Sequence, residues 1–193
     1  MKSVTALLLA FALFAMGGCG KQEESIGEQE QAPASRADVL VPDMDLHTAA
    51  AAGNLEAIRQ HIEAGSDLNV RDPEGGACPL STAALFGRTE AAMALIEAGA
   101  DMNCRGNDGA TPLHVAAFFC RTEIVRALLD KGADRSIKNG YGSTPLEAVS
   151  GPFEQVRPVY EHFEKTLGPA GLKLDYERLE ATRPKIAEML LST

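Results

Sequence analysis

The stretch Asp108-Gly109-Ala110-Thr111-Pro112-Leu113-His114-Val115-Ala116-Ala117, followed by Glu123-Ile124-Val125-Arg126-Ala127-Leu128-Leu129-Asp130-Lys131-Gly132-Ala133-Asp134, decides how the rest of the chain is read. Thr111 can cap a helix through its hydroxyl, and Pro112 supplies a preset φ in the first turn, where no N–H is needed. Leu113 then faces inward, and Ala116-Ala117 keeps this first helix thin enough for a neighbour to lie close. Ile124, Val125, Leu128 and Leu129 recur at helical spacing and give a second helix one apolar face. Gly132 ends that helix, because glycine tolerates the left-handed conformation of a helix terminus.

The same phrase returns on both sides. Leu46, Leu80, Leu113 and Leu146 step by 34, 33 and 33 residues, and the extra residue falls in the turn Asp72-Pro73-Glu74-Gly75-Gly76. Gly65-Ser66-Asp67, Gly99-Ala100-Asp101 and Gly132-Ala133-Asp134 keep the step, as do Gly76, Gly109 and Gly142, each four residues before an anchor leucine. A unit of this length cannot bury its apolar face alone, so the units must stack.

With these phrases the chain resembles the ankyrin-repeat family, most fully in the stretch quoted above. The resemblance implies an all-α solenoid of about four repeats, each a helix-turn-helix plus a turn or hairpin, with units at about 43–71, 72–105, 106–138 and 139–167. The copies are uneven. Thr144-Pro145-Leu146 keeps the cap but has Glu147 where the phrase has histidine, Cys78-Pro79-Leu80 has lost the hydroxyl cap, and Asp45-Leu46-His47 lacks the proline. After Ser150 the register loosens. Arg183-Pro184-Lys185-Ile186-Ala187-Glu188-Met189-Leu190-Leu191 aligns with Arg121 to Leu129, which predicts a shortened fifth repeat with Pro184 in the first turn of a short final helix. Val156, Tyr160, Phe163 and Leu167 share a helix face, and Gly168-Pro169-Ala170-Gly171 breaks the chain after it. Residues 151–193 are thus expected to form a divergent last repeat and a degenerate helical cap over the open end of the stack.

The N-terminus carries a different signal. Met1-Lys2 gives a positive start, and Val4 to Met16 is an unbroken apolar or small run, too short to span the roughly 30 Å hydrocarbon layer comfortably. This is a signal peptide over 1–18. Met16-Gly17-Gly18-Cys19 resembles the lipobox of bacterial lipoproteins, with methionine where leucine is usual. The resemblance implies cleavage before Cys19 and a lipid on that cysteine, and the absence of aspartate at Gly20 implies the outer membrane, facing the periplasm. Residues 19–42 are rich in Gln, Glu, Ala and Ser, a composition that cannot offset the entropy of ordering. As a tether such a chain reaches roughly 25 Å.

The formal net charge of −9 would repel phosphate backbones, and no basic patch interrupts it, so nucleic acid is excluded as a partner. His61 and His162 stand apart from any acidic or cysteine cluster at ligand spacing, so no metal or other cofactor is expected. In similar proteins the histidine at His47 and His114 makes structural hydrogen bonds between repeats. Neither a Gly-x-Ser-x-Gly elbow, nor a phosphate-binding glycine loop, nor a His-Glu-x-x-His helix occurs, so the chain is expected to be no enzyme and to have no small-molecule substrate. A hydrolase hidden in the C-terminal helices would need converging polar groups where a plain apolar seam is expected. Three cysteines remain beside Cys19, and they cannot all pair within one chain. Cys78 can bridge to Cys104, or all three can be idle buried thiols. Cys120 stands where the first two repeats have Gly53 and Gly87, in the turn between helices, and is the candidate for a thiol-based redox sensor.

A stacked solenoid offers a continuous concave side suited to another protein. In proteins it resembles, partners touch the turn tips and the two variable residues after the Ala-Ala pair. Those places hold Glu74, Asn107, Asp108 and Tyr141 at the tips, with Leu85-Phe86 and Phe118-Phe119 in the groove. Large apolar side chains in adjacent repeats mark a contact site when exposed. One of each pair, Phe86 or Phe119, is expected to turn inward and the other to stay exposed, and the acidic rim suits a basic or mixed partner surface. The chain is thus expected to be an envelope-tethered protein-interaction module that binds a periplasmic partner protein through the concave groove. The other readings are an immunity-type inhibitor of an exported toxin and the thiol sensor. Metabolic labelling with palmitate is expected to mark the native chain and not Cys19→Ser; equal labelling of the two would remove the lipid anchor.

Overall fold

The structure is a computed structural model that describes residues 43–192. The signal peptide, Cys19 and the tether lie outside the described residues. Nine α-helices and no strand occur among those described: α1 (Leu46–Ala52), α2 (Leu55–Glu63), α3 (Pro79–Phe86), α4 (Thr89–Glu97), α5 (Pro112–Phe118), α6 (Thr122–Asp130), α7 (Pro145–Ser150), α8 (Phe153–Leu167) and α9 (Tyr176–Leu191). The first six form three helix-turn-helix pairs, and first helices stack on first helices as α1, α3, α5 and α7. The fold is the all-α ankyrin-repeat solenoid with additional C-terminal helices.

Each first helix begins as its residues dictate. Asp45 accepts from the Thr48 N–H at 3.0 Å. Thr111 and His114 form a reciprocal capping box, in which the Thr111 N–H donates to His114 Nδ1 at 3.2 Å. At the fourth repeat Glu147 does the same work in the histidine's place, accepting from the Thr144 N–H at 2.7 Å. Cys78, without a capping oxygen, makes no side-chain cap; its sulfur is bonded instead to Cys104. The alanine pairs Ala49-Ala50, Ala83-Ala84 and Ala116-Ala117 are all wholly buried, which is what lets consecutive first helices approach. Leu46, Leu80 and Leu113 are buried with them, whereas Leu146, in the last repeat, is only partly covered.

The C-terminal third departs from the expected arrangement. α9 packs along α7 and against α6, so it is the second helix of the fourth repeat and not part of a fifth. Its N-cap is Asp175, which accepts from the Arg178 N–H at 3.0 Å, so the helix starts two turns before Pro184. Pro184 therefore lies inside α9, not in its first turn. The helical bond it cannot donate leaves the carbonyl of Glu180, an exposed residue that water can satisfy. Between α7 and α9, where other repeats have a short turn, the chain inserts α8 and the 3-10 turn Gly168–Ala170. This insert does not cover the open end of the stack; it folds back over the groove side.

The turns inside the helix pairs differ in what packs against them. A Cβ on Gly53 would come within 3.1 Å of the Arg88 side chain, and one on Gly87 within 2.8 Å of the Arg121 guanidinium. Arg88 and Arg121 lie there because each donates back to a carbonyl of the preceding repeat, Ala51 at 2.8 Å and Leu85 at 3.0 Å. Cys120 has the same left-handed backbone, at φ 53, but faces the Leu179 carbonyl of α9. A small side chain fits there.

The Cys78–Cys104 bridge spans 26 residues within the second unit. Chain-entropy arithmetic for a loop of that size gives about 3.5 kcal/mol. The double change Cys78→Ala with Cys104→Ala is expected to lower the urea midpoint, with a slope that rises as the unlinked denatured chain exposes more surface; an unchanged midpoint would remove the bridge from the native fold.

Candidate functional site

The concave side is bounded by the turn tips on one wall and by α8 on the other. The tips are stitched to one another. Asn107 donates from its backbone to the Gly75 carbonyl at 2.9 Å and from Nδ2 to the Glu74 carbonyl at 3.1 Å, and Gly140 N–H donates to the Asp108 carbonyl. The histidines join repeats as expected. His47 Nε2 donates to the Val70 carbonyl at 2.9 Å at the end of its own unit, and its Nδ1 meets the Thr82 hydroxyl of the next unit at 3.3 Å. At His114, Nδ1 accepts from Thr111, which leaves Nε2 to donate to the Ser143 carbonyl at 3.0 Å. Burial holds the His114 pKa below its ordinary value, so the ring stays neutral at physiological pH.

α8 turns four residues of one face onto the groove. Tyr160 is fully buried, and Val156, Phe163 and Leu167 are partly so. Its ring stacks on Phe118 at 4.4 Å, and Phe119 meets Phe163 edge-on at 5.3 Å. The Tyr160 hydroxyl donates to the Phe118 carbonyl and accepts from Arg183 at 3.1 Å. Arg183, buried without a carboxylate, donates also to the Ala148 and Gly151 carbonyls at the end of α7, where the helix dipole favours a cation. Further along α8, Glu164 accepts from the Tyr176 hydroxyl at 2.7 Å and from the Leu174 N–H at 3.4 Å. The seam beneath α8 is therefore not the plain apolar one expected: a tyrosine and an arginine are hydrogen-bonded through it. Burial pushes the Tyr160 hydroxyl up to about 12 and the nearby Cys120 thiol up to about 11. A thiol so buried and protonated is a poor nucleophile.

The expected site residues are dealt out unevenly by this arrangement. Two clefts flank α8. The larger, 640 Å³, brings together Glu74, Leu85, Phe86, Asn107, Asp108 and a little of Phe119. The smaller, 490 Å³, brings together Asp108, Phe118, Phe119 and Tyr141. Leu85 and Phe86 are both half-buried and face the larger cleft, so neither has turned fully inward. Phe118 is half-buried beneath the Tyr160 ring, and Phe119 is only 3% exposed. Of this pair Phe119 was expected to turn inward and Phe118 to stay exposed; Phe119 is turned inward, and Phe118 is half covered by α8. The aromatic pair thus has a partner inside the chain, and Phe119 is removed from the surface another protein can touch. Tyr141 stands free at 83% exposure, and Asn107 spends its polar groups on the neighbouring tip. The wall residues Phe163 and Leu167 were singled out in the sequence only as one helix face; nothing in their spacing says that they border the groove.

Among the described residues no group of three or more His, Cys, Asp or Glu side chains is placed to hold a metal, and no helix is long and apolar enough to cross a membrane. Residues 46–139 match the family described as ankyrin repeats (3 copies). No curated protein matches the chain significantly. Ankyrin repeats are in general protein–protein interaction modules. The match covers the three pairs α1 to α6 and ends before α7.

Tyr160→Phe keeps the ring stack and removes the hydroxyl, leaving buried Arg183 and the Phe118 carbonyl each short of a partner. A loss of about 1–3 kcal/mol in urea unfolding is expected, together with faster proteolysis within α8. Unchanged stability and unchanged cutting would mean that the hydroxyl does not hold α8 down.

Proposed function

We propose that this chain is an interaction module tethered to the bacterial cell envelope, which captures a periplasmic partner protein in the concave groove left open beside α8. One observation carries the reading. Leu85 and Phe86 are half-buried side chains facing a 640 Å³ cleft whose rim bears Glu74 and Asp108, an apolar floor with a charged edge of the kind that protein contacts use. The polar groups of the clefts are largely committed to the backbone. Asp72 accepts from the N–H groups of Glu74, Gly75 and Ala77, and the two histidines hold repeats together. That commitment supports a binding role without catalysis.

Export is supported by the signal segment and by the Cys78–Cys104 bridge, since disulfides persist in oxidising compartments. The lipobox at Met16 to Cys19 supports anchorage in the outer membrane on its periplasmic side. A thiol-sensing role loses its support from Cys120, which is wholly buried with its thiol facing the Leu179 carbonyl. Capture of a resident partner and capture of an exported toxin use the same groove chemistry.

Crosslinking in intact envelopes, followed by recovery of the chain, is expected to yield one protein with the native form. Recovery should fall at least about tenfold with Leu85→Ser plus Phe86→Ser, equivalent to 1.4 kcal/mol. Circular dichroism must first show that the double variant is folded. Undiminished recovery with the folded variant would remove the groove as the binding site.

A further inference from the structure

α8 divides the concave groove without closing it, and the division sets what the open part can accept. The helix is held at two levels, by Tyr160 to Arg183 and by Glu164 to Tyr176 and Leu174, so it is a fixed wall. The edge-on pair Phe119 and Phe163 lines both clefts, as does one charged residue, Asp108. The larger cleft, at 640 Å³, has the size of a site for a few side chains, not of a surface for a folded domain.

The charge of this space is one-sided. Asp72, Glu74 and Asp108 line the clefts, and no lysine or arginine does. Asp72 is saturated by its three N–H donors. Asp108 accepts only the Ala110 N–H, through Oδ1, and Glu74 has no hydrogen bond to its carboxylate. Arg105, whose guanidinium lies against Gly109, forms no ion pair with either carboxylate and donates to the Lys138 carbonyl at 2.7 Å. The only ion pairs among the described residues belong to Arg157 on the solvent side of α8. Two exposed carboxylates therefore stand without an ion-pair partner at the rim of an apolar cleft, where their common sign favours the approach of a cation.

We infer that the partner enters the larger cleft as a short segment that presents a lysine or arginine to Asp108 and Glu74 and an apolar neighbour to the space between Leu85 and Phe163. A long cationic side chain suits the site because its stem covers apolar wall while its head reaches the rim. This inference rests on the proposed function and specifies the partner's chemistry.

The test uses the full chain and three short synthetic peptides, leucine–lysine, leucine–glutamate and leucine–serine, at physiological salt. Affinity is read by fluorescence anisotropy, and the contact is mapped by photo-crosslinking and mass spectrometry. The lysine peptide is expected to crosslink within the larger cleft. Its affinity should fall about tenfold in Glu74→Gln plus Asp108→Asn and stay within about twofold in the charge-matched control Glu97→Gln plus Asp130→Asn. Equal losses in the two variants would overturn the inference, since the attraction would then be that of the whole acidic chain. Serine and lysine peptides binding the cleft equally well would also overturn it, while leaving the groove as a protein-binding site. If no peptide maps to the cleft but native envelopes still give a groove-dependent partner, the short-segment inference falls alone. If neither occurs, the proposed function falls with it.

Discussion

Each helix pair in this chain is too thin to enclose an interior, and its apolar residues become dry only against the next pair. The wholly buried alanine pairs along α1, α3 and α5 are the point of closest approach, and the side chains around them have little choice of size. Everything that links one repeat to the next serves this stacking. Arg88 and Arg121 reach back to carbonyls of the preceding repeat, His47 and His114 span the gap between a helix and a turn, and the tips at 75–76, 106–109 and 139–140 hydrogen-bond in series. None of these contacts closes a pocket. They leave a row of tips and a row of helix faces with a groove between.

The fourth repeat shows what happens when the row must end. α7 is short, and its companion α9 arrives only after 25 intervening residues, those between Ser150 and Tyr176. The insert is mostly the 15-residue helix α8, and its apolar face needs cover of its own. It finds Phe118 and Phe119, two rings at positions where a plain repeat would show its groove to solvent. Burying the Tyr160 hydroxyl and the Arg183 guanidinium together answers the polar cost of that seam, since each is the other's partner and carbonyls take the remaining donors. The groove is narrowed by the same contacts that hold α8.

What remains open has its character from what was consumed. In the third repeat Phe119 is buried and Phe118 half covered by α8, whereas the apolar pair of the second has no such cover, so Leu85 and Phe86 become the floor. The free carboxylates of Glu74 and Asp108 follow from turn geometry: both project from tips whose backbone is already satisfied, which leaves the side chains without an internal task. Cys120 shows the opposite case. Its place in the turn, legible from the alignment with Gly53 and Gly87, suggested an accessible thiol, yet α9 covers it and burial keeps the proton on sulfur.

The repeat, its period, the caps at Thr111 and Thr144, the inter-repeat histidines and the tip residues were legible in the chain itself. They depend on hydrogen bonds and apolar spacing within one unit or between units at a constant step. The expected signal run and lipobox are short patterns of another kind, read without a fold and lying outside the described residues. The destination of α8, the pairing of α7 with α9 and the bridge between Cys78 and Cys104 were not legible. Each joins partners whose separation breaks the period, so no local rule selects them from their alternatives. Tertiary structure decided them by burial: Tyr160, Phe163 and Leu179 could leave water only where Phe118, Phe119 and Cys120 already lay.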